Sequence, residues 1–225
     1  MDTDKKEWIA QIAQRLFTER SFGVDFLPAA QNSKTVSRAD KRQALESLEL
    51  EFRNCAICEL SRTRTHVVLG EGNPEARLMF VGEAPGFEED RQGRPFVGAA
   101  GQLLTKIILA MKLRREDVYI ANCLKCRPPG NRNPLPAEIA ACRPILARQI
   151  EIIRPEIVCA LGKFAAQTLL ETTEPITRLR GRFFELPGGS RLLPTFHPAY
   201  LLRNPADKKL VWEDMQKIMR AIGIS

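Results

Sequence analysis

The sequence lacks any long apolar segment and is poor in cysteine. No apolar run among its 225 residues approaches the roughly 20 residues that a membrane helix needs. The first eight residues mix acidic and basic side chains where a signal peptide would be apolar. Six cysteines are too few for a disulfide-dense secreted domain. We therefore expect a soluble, cytoplasmic protein with no membrane partner.

The charge of the chain is mildly positive. Its 34 Lys and Arg against 27 Asp and Glu give a formal net charge of +7 and a pI of about 9.3. This surplus favours a polyanionic partner, although many enzymes carry a similar charge. With 44% hydrophobic and 27% charged residues the chain can build a full core, which excludes wholesale disorder.

Two parts are predicted along the chain. Apolar residues recur with helical spacing over residues 3–20, and the small, polar, proline-containing stretch 27–40 predicts a linker. Residues 1–40 are therefore expected to form an N-terminal helix and linker, and residues 41–225 the functional domain.

Strands and helices alternate within the second part. Alternation of this kind predicts a three-layer α/β/α sandwich with a mainly parallel central sheet. Predicted strands cover residues 76–82, 117–122, 156–162, 182–186 and 191–196, and predicted helices cover 44–52, 99–112, 137–153, 163–170 and 206–222. Ligands of such sheets bind beyond the carboxyl ends of the strands. Three polar motifs stand there, namely residues 82–86, Asn122 and His197-Pro198.

Four cysteines have the spacing of metal or cluster ligands. Cys55 and Cys58 form a CxxC pair, and Cys126 and Cys142 stand singly farther along the chain. Four such thiolates can bind one zinc ion or hold a [4Fe–4S] cluster, and the spacing does not separate the two. The other two cysteines lie in strand-like runs and are expected to be core residues: Cys123 and Cys159.

The glycine-rich stretch 82–98 is not a phosphate-binding loop. It lacks the Lys-Ser/Thr ending of a P-loop and the GxGxxG of a dinucleotide fold. Its turn after a strand suits close approach of the backbone to a flat ligand, with an ordinary tight connection as the alternative. Asn122 and His197 follow other strands, where each is either a ligand-binding or a structural side chain.

Together these motifs resemble those of the family 4 uracil-DNA glycosylases, which are iron–sulfur enzymes. The resemblance covers residues 45–222 in the family's order and leaves out residues 1–40. It rests on the CxxC pair, GEAPGFEEDRQGRPFVGAAG at 82–101, NCLKCRPPGNRNP at 122–134, Cys142 and HPAYLLRNP at 197–205. It implies a monofunctional DNA repair enzyme that flips uracil out of DNA and hydrolyses its N-glycosidic bond, leaving an abasic site.

The resemblance assigns a role to each residue of the base-binding motifs. Phe96 would stack on the flipped base, Asn122 would read the edge of uracil, and Glu89 would exclude the methyl group of thymine. His197 would donate a hydrogen bond to uracil O2 as negative charge develops there. Glu83, Ala84 and Pro85 would line the pocket. Ala84 stands where family 1 enzymes carry a water-activating Asp, so Glu83 is the candidate to position water.

The resemblance also assigns the cofactor and the partners. The four spaced cysteines would hold a structural [4Fe–4S] cluster. DNA would be held by Arg127, Arg132 and Arg203, with the segment 200–203, and Leu201 within it, wedged into the gap left by the base. A second basic run would be added by Arg178, Arg180 and Arg182. We expect a monomer that acts on uracil in single- and double-stranded DNA and binds a protein partner through its N-terminal helix.

Other functions remain open at this point. One is a non-catalytic iron–sulfur protein that binds DNA or senses redox state, and another is a zinc-stapled accessory subunit that docks a polymerase or clamp. The first would have no use for an intact set of pocket residues, and the second does not explain the pocket. A covalent uracil-binding relative would need an additional His in the loop 127–136, which has none.

Overall fold

The computed structural model describes residues 37–224, all within one compact unit of the chain, Val36–Ser225. The strands of this part are Glu71–Gly72 (β1), Leu78–Gly82 (β2), Tyr119–Asn122 (β3), Ile157–Leu161 (β4), Phe184–Glu185 (β5) and Arg191–Thr195 (β6). They form one sheet in the order β1-β3-β2-β4-β6-β5. The four central strands are mutually parallel, and the two edge strands are antiparallel.

Helices cover both faces of the sheet within the described residues. The α-helices are Arg38–Phe52 (α1), Phe87–Gln92 (α2), Ala99–Ala110 (α3), Pro136–Ile153 (α4), Lys163–Leu170 (α5), Ile176–Leu179 (α6), Pro198–Arg203 (α7) and Lys208–Ala221 (α8). The predicted α/β sandwich with a mainly parallel sheet is therefore confirmed.

The alternation of side chains along each buried strand divides the core into two halves. In β2, Leu78 and Phe80 pack on the face covered by α3 and α8, while Met79 and Val81 pack on the face covered by α4 and α5. A strand covered on both faces must be apolar at every position, which is why the central strands read as short continuous apolar runs. Cys159 and Cys123 lie one in each half, so their predicted place in the core is confirmed.

The structure corrects the start of the first described helix. We predicted a linker up to residue 40, but α1 begins at Arg38 because Ser37 and Asp40 form a capping box. The Asp40 N–H donates to Ser37 Oγ at 3.2 Å, and the Ser37 N–H donates to Asp40 Oδ2 at 3.0 Å. The predicted helix 3–20 and most of the linker lie outside the described residues.

The short helices α2, α6 and α7 were not predicted, because each is only four to six residues long and carries no clear apolar period. No helix within residues 37–224 is both long and apolar enough to cross a membrane.

Candidate active site

A cavity of about 480 Å³ opens where the central parallel strands end. The loop after β2, the last residue of β3 and the residues after β6 all contribute to its wall. Nine of the residues singled out from the sequence line it: Glu83, Ala84, Pro85, Glu89, Phe96, Asn122, Arg132, His197 and Arg203. The cavity is large enough for a small planar ligand with part of its attached chain.

Strand register and one glycine create the floor of the cavity. Gly82 and Asn122 end β2 and β3 as paired neighbours in the sheet. A Cβ on Gly82 would lie 2.4 Å from Asn122 Oδ1 and 2.5 Å from Phe96 Cζ. Distances that short are overlaps, so the amide and the ring share this floor only because residue 82 has no side chain.

Glu89 ties two backbone segments of the wall together through three hydrogen bonds. Its Oε1 accepts hydrogen bonds from the N–H groups of Val97 and Gly98, both at 2.8 Å, and its Oε2 accepts one from Gly86 at 3.2 Å. These bonds leave the carboxylate little rotational freedom at the cavity surface. Glu89 is therefore a fixed wall rather than a mobile acid.

Phe96 is held in place from behind by Arg115. Its backbone has a φ of 52°, in the left-handed region that non-glycine residues rarely adopt. Arg115 Nη1 donates to the Phe96 carbonyl at 3.0 Å, Nη2 donates to the Pro95 carbonyl, and Nε pairs with Glu71 at 2.8 Å. Sequence reasoning missed Arg115, because it lies 19 residues from Phe96 and outside the recognised motifs.

Asn122 is held by a buried lysine. Lys125 is 1% exposed, and its Nζ donates to the Asn122 carbonyl at 2.7 Å and to Gln149 Oε1 at 2.6 Å. The Asn122 side chain is also buried, yet its Oδ1 accepts no hydrogen bond from any described residue. An unpaired buried acceptor costs about 1–3 kcal/mol, so this atom is stabilised when a ligand supplies a donor.

The environment of His197 fixes its tautomer. Its Nδ1 accepts a hydrogen bond from the Ala199 N–H at 3.0 Å, so the proton of the neutral ring is on Nε2. Burial, together with the charge of Arg203, lowers the pKa of His197 to about 4. The imidazole is therefore a neutral Nε2–H donor at neutral pH. Its contribution to stability is complete above the ordinary pKa of about 6.5 and is lost as the pH falls toward 4.

Glu83 is the second perturbed group of the cavity. Burial raises the pKa of its carboxyl group to about 7. Because raising the pKa favours the protonated form, the carboxyl is partly protonated near neutral pH and becomes fully ionised only above it. A carboxyl group of this kind can exchange a proton with a bound water at neutral pH.

Some predicted DNA-contacting residues lie elsewhere. Leu201 is fully buried in the core between the sheet and α8, so its predicted role as a wedge is wrong, and the exposed neighbour is Leu202. Arg180 pairs with the buried Asp214 at 2.9 Å and stacks on Phe196, so it is a structural cation rather than part of a free basic surface.

The two predicted arginines of the loop after β3 differ in their contacts. Arg132 lines the cavity and pairs with Glu138, to which its Nη1 donates at 2.9 Å. Arg127 lies beside the cavity wall and stacks on the ring of Phe87 at 5.1 Å.

The four spaced cysteines are free thiols from three separate segments that lie near one another. Burial raises the pKa of Cys126 to about 11 and also raises that of Cys142. Nearby thiols add to both effects, Cys142 and Cys58 acting on Cys126, and Cys58 and Cys55 acting on Cys142. Arg64 Nη1 donates to Cys126 Sγ at 3.4 Å. Within residues 37–224, no three His, Cys, Asp or Glu side chains are grouped so as to hold a metal ion.

The chain is similar to known proteins over most of its length. Residues 69–216 match the model of the uracil DNA glycosylase superfamily. A type-4 uracil-DNA glycosylase of Thermotoga maritima is 47% identical over 79% of this chain and 94% of its own length. One from Archaeoglobus fulgidus is 43% identical over 80% of this chain and 94% of its own. A type-5 enzyme of Thermus thermophilus is 36% identical over 58% of this chain and 68% of its own.

The geometry predicts opposite tautomers for the two histidines of the chain. His197 carries its proton on Nε2, whereas His66 Nδ1 lies 2.8 Å from the Asp90 carbonyl, an acceptor, and must carry the proton there. We expect ¹⁵N NMR correlation spectra at pH 7 to show one ring of each tautomer, with His66→Gln removing the Nδ1–H ring. A spectrum in which the remaining ring is cationic or Nδ1-protonated would contradict the His197 geometry.

Proposed function

Because the chain belongs to the uracil DNA glycosylase superfamily and to its type-4 enzymes, we propose that its cavity binds one uracil flipped out of DNA. The enzyme excises uracil in DNA repair by hydrolysing the N-glycosidic bond, which leaves an abasic site. The observation that supports this use of the cavity is the convergence of Phe96, Asn122, Glu89 and His197 on one cavity.

Base recognition is assigned to Asn122. Uracil offers an N3–H donor beside an O4 acceptor, and a carboxamide offers the complementary pair. The Asn122 Oδ1 that lacks a partner among the described residues would accept from N3–H. Cytosine presents the opposite pattern, which would leave buried groups on both sides without hydrogen bonds, so it is rejected.

Stacking and shape complete the recognition. The Phe96 ring borders the floor beside Asn122 and gives the flipped base a flat surface, worth about 1–3 kcal/mol. Glu89 excludes the C5 methyl group of thymine because its three backbone hydrogen bonds prevent it from moving aside.

Bond cleavage is assigned to His197 and Glu83. Negative charge collects on uracil O2 as the bond breaks, and the Nε2–H of the neutral His197 donates to it. A preorganised donor at such a position is worth about 3–4 kcal/mol. Ionised Glu83 orients the water that attacks the sugar cation, and its raised pKa allows it to accept the proton of that water.

DNA binding is assigned to the basic rim of the cavity. Arg203 is exposed at the end of α7, Arg132 also lines the cavity, and Leu202 takes the wedge role first given to Leu201. Substrates are single- and double-stranded DNA that contain uracil, bound by a monomer. A protein partner for the N-terminal helix stays a prediction.

A [4Fe–4S] cluster is assigned to Cys55, Cys58, Cys126 and Cys142. The donor set fits the group, since it consists of four free thiols and iron–sulfur clusters are held by four cysteines. Bound there, the cluster would act as a structural crosslink between the end of α1, the loop after β3 and α4. Ala84 of the cavity wall packs against the hydrophobic cluster that contains Cys126 and Cys142, so the wall and the thiols share one packing unit.

The first prediction concerns uracil excision itself. We expect the protein to convert a uracil in an oligonucleotide to an alkali-labile site and to leave thymine intact. His197→Ala and Asn122→Ala should each lower the rate by about 10²–10³, measured under single-turnover conditions. Circular dichroism checks that both variants fold, and a folded variant with near wild-type rates would refute the role of its residue.

The second prediction concerns pH. Ionised Glu83 is the active form, so kcat/KM should rise tenfold per pH unit below about 7 and level off above it. Glu83→Gln should be slower at high pH and should lose this rise, whereas substitution of a partly exposed acid of α2, Glu88→Gln, should keep it. An unchanged profile in Glu83→Gln would assign the titration to another group.

The third prediction concerns the cofactor. Anaerobically purified protein should be brown, with absorption near about 400 nm, and Cys126→Ala should lose both the colour and thermal stability. Cys159→Ala, which also removes a buried thiol but from the core, should stay brown. A colourless protein that contains one zinc ion per chain would refute the cluster assignment.

A further inference from the structure

Phe87 is an exposed aromatic residue at the edge of the candidate active site. Its side chain is 56% exposed, although it is the first residue of α2 and directly follows Gly86, which lines the cavity. Phe87 belongs to none of the hydrophobic clusters formed by the described residues. Burial therefore does not explain a phenyl ring at this position.

Arg127 joins this ring to the loop after β3, which also lines the cavity. Its guanidinium lies over the Phe87 ring, 5.1 Å from the centroid, and its Nε donates to Asn131 Oδ1 at 2.7 Å. Asn131 and Pro128, the residue that follows Arg127, both line the cavity. Phe87 and Arg127 thus form a pair, here called the rim stack, that connects the loop after β2 with the loop after β3.

The rim stack has the chemistry of a single-strand binding surface. An exposed aromatic ring offers a stacking partner to any base, since every base has a π face, and an adjacent cation attracts the phosphates. No carboxylate of the described residues forms a salt bridge with Arg127, so its charge is available to an anion.

The geometry points to the rim stack as a binding site for the base of a nucleotide that flanks the flipped uracil. This inference rests on the proposed function, because it takes the cavity to be the uracil site. One phosphate joins the flanking nucleotide to the flipped one, so the flanking base must stay close to the rim. In single-stranded DNA that base is free to stack on Phe87, whereas in a duplex it is held by its own pair.

The test removes the ring and the flanking base separately and together. Substrates are single-stranded oligonucleotides with one uracil, either complete or with an abasic tetrahydrofuran residue on one side of it. Removing the base on one of the two sides should cost the wild-type enzyme about tenfold in kcat/KM, mainly through KM. The Phe87→Ala variant should lose a similar factor in kcat/KM on the complete substrate. On the abasic substrate its kcat/KM should equal that of the wild type, and Phe87→Tyr should behave as wild type on both substrates.

A second aromatic–arginine pair provides a matched control. Phe183 is 37% exposed, and the guanidinium of Arg191 lies over its ring, 4.9 Å from the centroid. Arg191 begins β6, whereas His197 follows the other end of that strand. Phe183→Ala should leave both losses unchanged.

Two results would overturn the inference. One is a Phe87→Ala variant with the wild-type kcat/KM on the complete substrate. The other is a Phe87→Ala variant that loses the full factor for base removal in addition to the factor for loss of the ring. In either case excision of uracil by the wild-type enzyme still tests the proposed function separately. Failure of the wild type to excise uracil from any substrate would instead refute that function.

Discussion

The meeting of Asn122 and Phe96 at the end of β2 is the constraint on which the rest of the site depends. Parallel register brings Gly82 level with Asn122, and the absence of a side chain at residue 82 lets the amide and the ring close on the same point. Gly101 in α3 likewise allows the backbone of Phe96 to approach closely, since a Cβ on Gly101 would lie 1.9 Å from the Phe96 carbonyl oxygen. The site is thus defined by backbone positions before any side chain performs chemistry.

Burial away from water sets the protonation state and hydrogen bonding of the side chains that line the cavity. Burial keeps His197 neutral, raises the pKa of Glu83 and leaves the Asn122 Oδ1 without a partner among the described residues. The buried Glu83 carboxyl and the unpaired Asn122 Oδ1 each cost folding free energy in the absence of substrate, whereas neutral His197 carries no such cost at neutral pH. In the proposed function, burial of Glu83 and Asn122 therefore opposes folding and favours the transition state.

The sequence predicts the sheet well because buried parallel strands are short apolar runs, and it locates the pocket because polar residues end those runs. It predicts poorly which charged side chains pair over long distances in the sequence and which side of a short helix faces the core. Arg180 lies two residues from Arg178 and two from Arg182, yet its partner Asp214 lies 34 residues away. Leu201 and Leu202 are the same residue type in neighbouring positions. Only the orientation of α7 decides that Leu201 packs in the core and that Leu202 is exposed. The supports Arg115 and Lys125 are likewise visible only in three dimensions.

Lys125 shows why the cysteine cluster and the pocket form one structural unit. Its Nζ donates to the Asn122 carbonyl, its backbone lies near the Cys142 thiol and partly offsets the rise in the pKa of that thiol, and the next residue is Cys126. The segment 122–126 thus connects the amide proposed to read the base to Cys126 and, through Lys125, to Cys142. Whatever those thiols bind, a shift of Cys126 or Cys142 moves Lys125, and a shift of Lys125 moves the amide at the pocket floor. In the proposed function, order at the thiols is therefore a condition for selecting the base.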